Sequence, residues 1–205
     1  MGGGESHTMN TQAKWAGRFE QGGSWNEMHF NHMMLDQNGN INGNGSDAVG
    51  GFSLTGNMQG SQMQINKQYH GAHTVHYNGQ MDNQGWVRGG WNIPGNCQGQ
   101  FELKLDVPHW TGSYSQGGQK HPMSFGLAIN GGDVYGNGVD GVGAFGCKGT
   151  YNQGSGQMTF TKFYYGQHQV QYRGQHHNQH GTQDIKGEWC IPGNSWDHFE
   201  LKLHH

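Results

Sequence analysis

The chain has 205 residues, a formal charge of −3 and only 12% charged residues, a balance without the basic footprint of a nucleic-acid binder. Its 39 glycines and 31% hydrophobic residues would suit a disordered chain, but disordered chains also combine high net charge with few aromatics. With 7 Trp, 8 Tyr and 9 Phe, a folded, glycine-punctuated β protein with an aromatic and Met-lined core is expected instead.

Residues 1–12 read as a flexible glycine leader. Met1-Gly-Gly-Gly-Glu-Ser6 also satisfies the N-myristoylation pattern, which would place a lipid anchor at Gly2. No apolar run reaches the length of a membrane helix and the N-terminus lacks the apolar segment of a signal peptide, so no membrane span and a cytoplasmic location are expected.

From residue 13 the pattern is alternation, as in Gln62-Met-Gln-Ile-Asn-Lys67, where one face is apolar and the other polar. Candidate strands fall near 13–20, 27–36, 40–44, 49–56, 61–68, 72–79, 86–92 and 99–105. Between them stand Asn38-Gly-Asn, Gln59-Gly, Asn83-Gln-Gly and Pro94-Gly-Asn, where Gly and Asn tolerate the positive φ of tight turns. Asn44-Gly-Ser46 matches an N-glycosylation acceptor and is read as a turn.

The same order then returns. Trp15-Ala-Gly corresponds to Trp110-Thr-Gly and Phe101-Glu-Leu-Lys-Leu105 to Phe199-Glu-Leu-Lys-Leu203, with length changes confined to turns. The division predicted is a first repeat over 13–105, a linker over 106–109 and a second repeat over 110–205. Eight short sequential strands per repeat close best into an antiparallel up-and-down β-barrel, which removes exposed edges. The fold class is therefore all-β, two tandem eight-stranded barrels. Each holds either a side-chain-filled interior or a mouth for one small ligand.

The punctuation of each copy resembles the avidin family. The resemblance lies in Trp15, Gly23-Ser24, Gly39-Asn-Ile-Asn-Gly43, Ala48-Val-Gly50, Leu54-Thr-Gly56, Lys67-Gln-Tyr69, Ala72-His-Thr74, Tyr77-Asn-Gly-Gln80 and Gly90-Trp91. It implies a small calycin-type barrel whose mouth is walled by Trp91 and Trp189, with Tyr77 and Tyr172 in place of a tryptophan. The biotin-contacting pattern is mostly not matched: Gly17 and Gly112 stand at the polar site of the first strand, and Gly45 and Gly138 near the tyrosine of the third.

Polar residues present in both copies are the natural site candidates. They include Asp47 and Asp140, Lys67 and Lys162, Tyr69 and Tyr164, and His73 and His168, beside Asn44/Asn137, Asn96/Asn194 and Glu102/Glu200. As structure, they would form internal hydrogen-bonded networks, with Lys67 paired to Glu102, because an unpaired buried polar group costs about 1–3 kcal/mol. As function, they would floor a ligand site under Trp91, Tyr77, Trp189 and Tyr172. As catalysis, Asp47 and His73, with Asp140 and His168, would form a carboxylate–imidazole pair in each repeat.

Histidine spacing does not make a shared metal site. His70-x-x-His73-x-x-His76 alternates faces on a strand, and copy two has Tyr165, His168 and Gln171 there, so neither metal nor cofactor is expected. Trp25, Trp86 and Trp196 have no counterpart in the other copy and read either as displayed sugar platforms or as barrel-end plugs. Cys97, Cys147 and Cys190 are non-equivalent and give no repeated disulfide framework. The reading is a non-catalytic binding protein for a small neutral molecule or glycan, lectin-like and bivalent. The alternatives are a self-associating matrix protein with solid barrels, and an acid–base enzyme using the Asp–His pairs.

Overall fold

The structure, a computed structural model, describes residues 14–179, 181–191, 193 and 196–204; Gly2, His180 and Asn194 lie outside them. It contains two closed antiparallel barrels of eight strands each. The first comprises β1 (Trp15–Gln21), β2 (Ser24–Leu35), β3 (Asn40–Asp47), β4 (Gly51–Gln59), β5 (Gln62–Tyr69), β6 (Thr74–Met81), β7 (Trp86–Asn92) and β8 (Gln98–Leu105). The second comprises β9 (His109–Gln116), β10 (Gln119–Asn130), β11 (Asp133–Val139), β12 (Ala144–Tyr151), β13 (Gln157–Tyr164), β14 (Gln169–Gln179), β15 (Thr182–Cys190) and β16 (Asp197–Leu203). Each is an up-and-down meander closed by pairing its first strand with its last, β1 with β8 and β9 with β16. Asn44 lies within β3 rather than in a turn, and β3 runs on to Asp47, beyond the expected end at residue 44.

Period-2 alternation sets which side chains fill the barrels. In β5, Met63, Ile65, Lys67 and Tyr69 point in while Gln62, Gln64, Asn66 and Gln68 point out. Apolar side chains inside and polar ones outside are the inverse of a lipid-facing barrel wall. Inside stand rings such as Phe52, Phe101, Phe125 and Phe145, each at most 1% exposed. Burying each such ring contributes on the order of 1.5–3 kcal/mol.

Cross-strand glycines make room for one ring per barrel. Gly79 faces Gly89, and Gly174 faces Gly187, in register. A Cβ at Gly89 or Gly187 would run into the backbone of the opposite strand, and the Phe101 and Phe199 rings sit against Gly79 and Gly174. Only glycine permits that approach.

The short connector brings the barrels into contact. In β11 burial is unbroken from Val134 to Gly138, because the outward face is covered as well as the inward one. Outward Ala128, Tyr135, Ala144, Phe163 and Tyr165 of the second barrel share one apolar cluster with Trp15, Leu35, Leu105 and Val107 of the first. The Gly166 amide donates to the Gln37 carbonyl across the contact at 3.0 Å. One end of the first barrel thus rests on the side wall of the second. Asn137 is caught in that interface, 3% exposed, whereas its counterpart Asn44 is exposed.

Candidate functional site

At the end of β3, Asp47 turns back over its own hairpin. Its Oδ1 accepts the amides of Val49 at 2.9 Å and Gly50 at 3.4 Å, an Asx-type turn that aims the other oxygen into the barrel. There Oδ2 accepts from Lys67 Nζ and from the Tyr69 hydroxyl at 2.8 Å. The second barrel repeats the arrangement: Asp140 Oδ1 takes the amides of Val142 and Gly143, and Oδ2 takes Lys162 Nζ at 2.5 Å and the Tyr164 hydroxyl at 2.6 Å.

This corrects the expected Lys67–Glu102 pair. Lys67 has the parity of Ile65 and Tyr69 and points inward, whereas Glu102 lies between Phe101 and Leu103 and points outward. On the outer wall Glu102 accepts from Arg18 Nε at 2.9 Å and Arg88 Nε at 3.0 Å. The Asp–His pairs do not form either. Asp47 and Asp140 are committed to lysine, tyrosine and turn amides, while His73 packs on the Tyr69 ring at 5.1 Å and His168 on the Tyr164 ring at 4.7 Å.

The two clusters differ in what surrounds the lysine. In the first barrel the Asp47 and Lys67 side chains are both 0% exposed. The Lys67 ammonium stands over four rings: Phe52 at 4.2 Å, Tyr69 at 4.7 Å, Phe19 at 5.0 Å and Tyr77 at 5.8 Å. In the second, Asp140 is 35% exposed and Lys162 stands over two rings, Phe145 at 3.8 Å and Tyr164 at 4.8 Å.

Two sequence differences accompany the open cage. Phe160 occupies the place of Ile65, and Tyr172 stacks flat on it at 4.7 Å, whereas Tyr77 has no such face beside it. Tyr114 replaces Phe19 and stacks on His121 at 5.1 Å, where copy one has Asn26. The ammonium stands over neither of these tyrosines, and a cavity of about 530 Å³ opens above the cluster. Asp140, Lys162, Tyr164, His168, Tyr172 and Trp189 all line it. Asn83, from the turn between β6 and β7 of the first barrel, reaches its rim.

Charge follows the same geometry. Burial lowers the Lys67 pKa against the pull of Asp47. Burial, then the hydrogen bond to the carboxylate, pushes the Tyr69 and Tyr164 phenols well above their ordinary range, so both remain donors. Burial works against ionising Asp140, but the Lys162 charge and the hydrogen bonds from Lys162, Tyr164 and the Val142 amide overcome it and hold the carboxyl below its usual range. Cys147, which lies beneath, is pushed up to about 12 by burial and is an inert thiol.

The expected tryptophan walls are core residues first. Trp91 is 4% exposed and donates to the Glu20 carbonyl at 2.9 Å; Trp189 is 9% exposed and donates to that of Ser115 at 3.0 Å. Tyr77 is buried edge-on to Phe101. The unshared tryptophans plug nothing: Trp25, Trp86 and Trp196 lie on outer walls over Arg18, Arg88 and Arg173. Among the described residues no group of three His, Cys, Asp or Glu is placed to hold a metal, and the three cysteines are unpaired.

No family model and no curated protein sequence matches the chain, and the avidin resemblance goes no further than the barrel. Among solved structures the chain is similar to the Myxococcus xanthus hemagglutinin in complex with a3,a6-mannopentaose, at 13% identity over 94% of this chain and 100% of that one, with a TM-score of 0.28. It is also similar to the Burkholderia oklahomensis agglutinin, at 11% identity over 92% and 94%, with a TM-score of 0.27. A Bacteroides fragilis protein whose outer-membrane assignment is provisional is 11% identical over 94% and 96%, with a TM-score of 0.30. At these scores the overlap is slight, and the properties of those proteins stay with them.

Proposed function

We propose that the protein is a non-catalytic binding protein whose ligand, a small neutral hydroxyl-rich molecule such as a saccharide unit, enters the mouth of the second barrel. One observation carries this reading: the Asp140–Lys162–Tyr164 cluster opens onto a ring-lined cavity, while the matching cluster in the first barrel is sealed. The paired charges of Asp140 and Lys162 leave no net charge to attract an ion, yet they offer a donor and an acceptor side by side. Tyr114, Tyr172 and Trp189 supply apolar faces of the kind that sit against the C–H side of a sugar. The ligand count is then one per chain rather than two.

The solid-barrel alternative fits the first copy, where four rings surround the lysine and solvent reaches neither member of the ion pair. The acid–base reading loses its pairs, since neither histidine touches a carboxylate.

Calorimetric titration with a panel of neutral mono- and disaccharides tests the proposal. One equivalent bound by the native chain, and at least a tenfold loss in Val142→Trp, is the expected result. Val142 is 53% exposed at the rim, so the larger ring blocks the mouth without entering the core. Saturation at two equivalents, or binding unchanged by Val142→Trp, would place the ligand elsewhere.

A further inference from the structure

A second and larger recess lies on the outer wall of the second barrel, a trough of about 730 Å³ crossing β13, β14, β15, β16 and β9. Its origin is visible by comparison with the same wall in the first barrel. There Arg18 reaches across Glu102 towards Arg88, and Trp25 stacks on Arg18 at 4.6 Å, so the wall is filled. At the matching registers the second barrel has Ser113 for Arg18 and Lys120 for Trp25, opposite Glu200 and Lys186. Shortening an arginine to a serine leaves the groove open.

We infer that this trough is a subsite for an extended oligosaccharide whose terminal unit sits in the mouth of the second barrel. The inference rests on the mouth reading and adds the class of ligand: a chain rather than a single unit. Its lining suits hydroxyls. Ser113, Ser115 and Thr159 can donate or accept, Gln157 and Gln175 present amides, and the charges are largely answered within the wall. Arg173 is bound to Glu188 at 2.6 Å, and Lys186 stands 3.7 Å from Glu200. The trough and the mouth cavity lie on the outer and inner faces of the same hairpin, so a chain leaving the mouth over its rim meets the trough. Ser115 and Lys120 line the trough, their chain neighbours Gln116 and His121 line the mouth cavity, and the β9–β10 hairpin carries both pairs. Beside the trough Trp196, 40% exposed, lies over Arg173 at 4.4 Å and extends the apolar surface outward.

The test is affinity against chain length, using gluco-, manno- and N-acetylglucosamine oligosaccharides of one to six units. Three proteins are compared: the native chain, Ser113→Arg, and Ser113→Arg combined with Lys120→Trp. The substitutions restore side chains that the first barrel carries on the same wall, and melting curves check that the barrel is intact. Native affinity should climb at least tenfold from one unit to five, while both variants keep the single-unit affinity and lose the climb. An equal climb in all three proteins overturns the trough. So does single-unit binding with no dependence on length, which leaves the mouth reading standing. A climb that Ser113→Arg abolishes but Val142→Trp does not touch keeps the trough and overturns the mouth. No binding by any member of the three series overturns both.

Discussion

The two barrels are built around one cluster, an inward lysine tied to an aspartate and a tyrosine, and they differ in what closes over it. In the first barrel four aromatic rings surround Lys67 and solvent reaches neither member of the ion pair. In the second, Tyr172 stacks on Phe160 and Tyr114 on His121, Lys162 stands over two rings, and Asp140 meets solvent. Duplication therefore leaves one copy of the cluster closed and the other open to solvent. A turn of the first barrel reaches the rim of the second barrel's cavity through Asn83.

The largest effect should come from breaking the sealed pair. Asp47→Ala leaves Lys67 buried without its counter-ion, which typically costs about 3–5 kcal/mol. Asp140→Ala should cost about 1–2 kcal/mol, because water entering the cavity can solvate Lys162. Urea unfolding of the two variants measures the difference. Equal losses would mean that the clusters are energetically alike and that exposure does not distinguish them. Asp47→Ala combined with Lys67→Met should recover part of the loss, since no charge is left unpaired while the Tyr69 hydroxyl and the Val49 amide still lose their acceptor.

A smaller effect tests what opens the cage. Phe160→Ile with His121→Asn gives the second barrel the residues of the first, so Tyr172 and Tyr114 lose the faces on which they stack. The pair should cost about 1–2 kcal/mol in stability, mostly from the smaller core side chain. It should also weaken saccharide binding at least tenfold as the cage closes. Unchanged affinity in a folded double variant would show that these two residues do not set the opening.

Much of this architecture is legible in the residues. Alternation in Gln62–Tyr69 and its repeat gives strands, the Gly and Asn clusters give turns, and the recurrence of both gives two barrels. The candidate set of the second copy comes together in one cavity, but the pairing inside it needed strand parity. Lys67 and Glu102 lie on opposite faces, and an acid on the inner side of a turn, Asp47 of Asp47-Ala-Val-Gly50, was the available partner. The asymmetry between copies was hidden because it involves ring stacking across neighbouring strands: Phe160 for Ile65 looks conservative until Tyr172 lies flat on it. The trough was equally hidden. It arises from what Ser113 lacks, and only register shows that Arg18 fills the same position.

The smallest effect is the dependence on pH. In the folded chain the Asp140 carboxyl lies below its ordinary 3.8, through the Lys162 charge and the hydrogen bonds it accepts. A lowered carboxylate pKa contributes stability that is fully present above the unfolded value and lost as pH falls through the folded one. With Asp140 35% exposed, solvent screening keeps this contribution below about 1 kcal/mol. Melting temperatures should therefore lie slightly lower for Asp140→Asn than for the native chain at pH 6, fall less steeply towards pH 3, and meet the native curve at the acid end. A gap that widens towards pH 3 would place a different group at the origin of the effect. Identical slopes would mean that Lys162 does not hold the carboxylate, and that the open cluster is not the ion pair on which a neutral mouth depends.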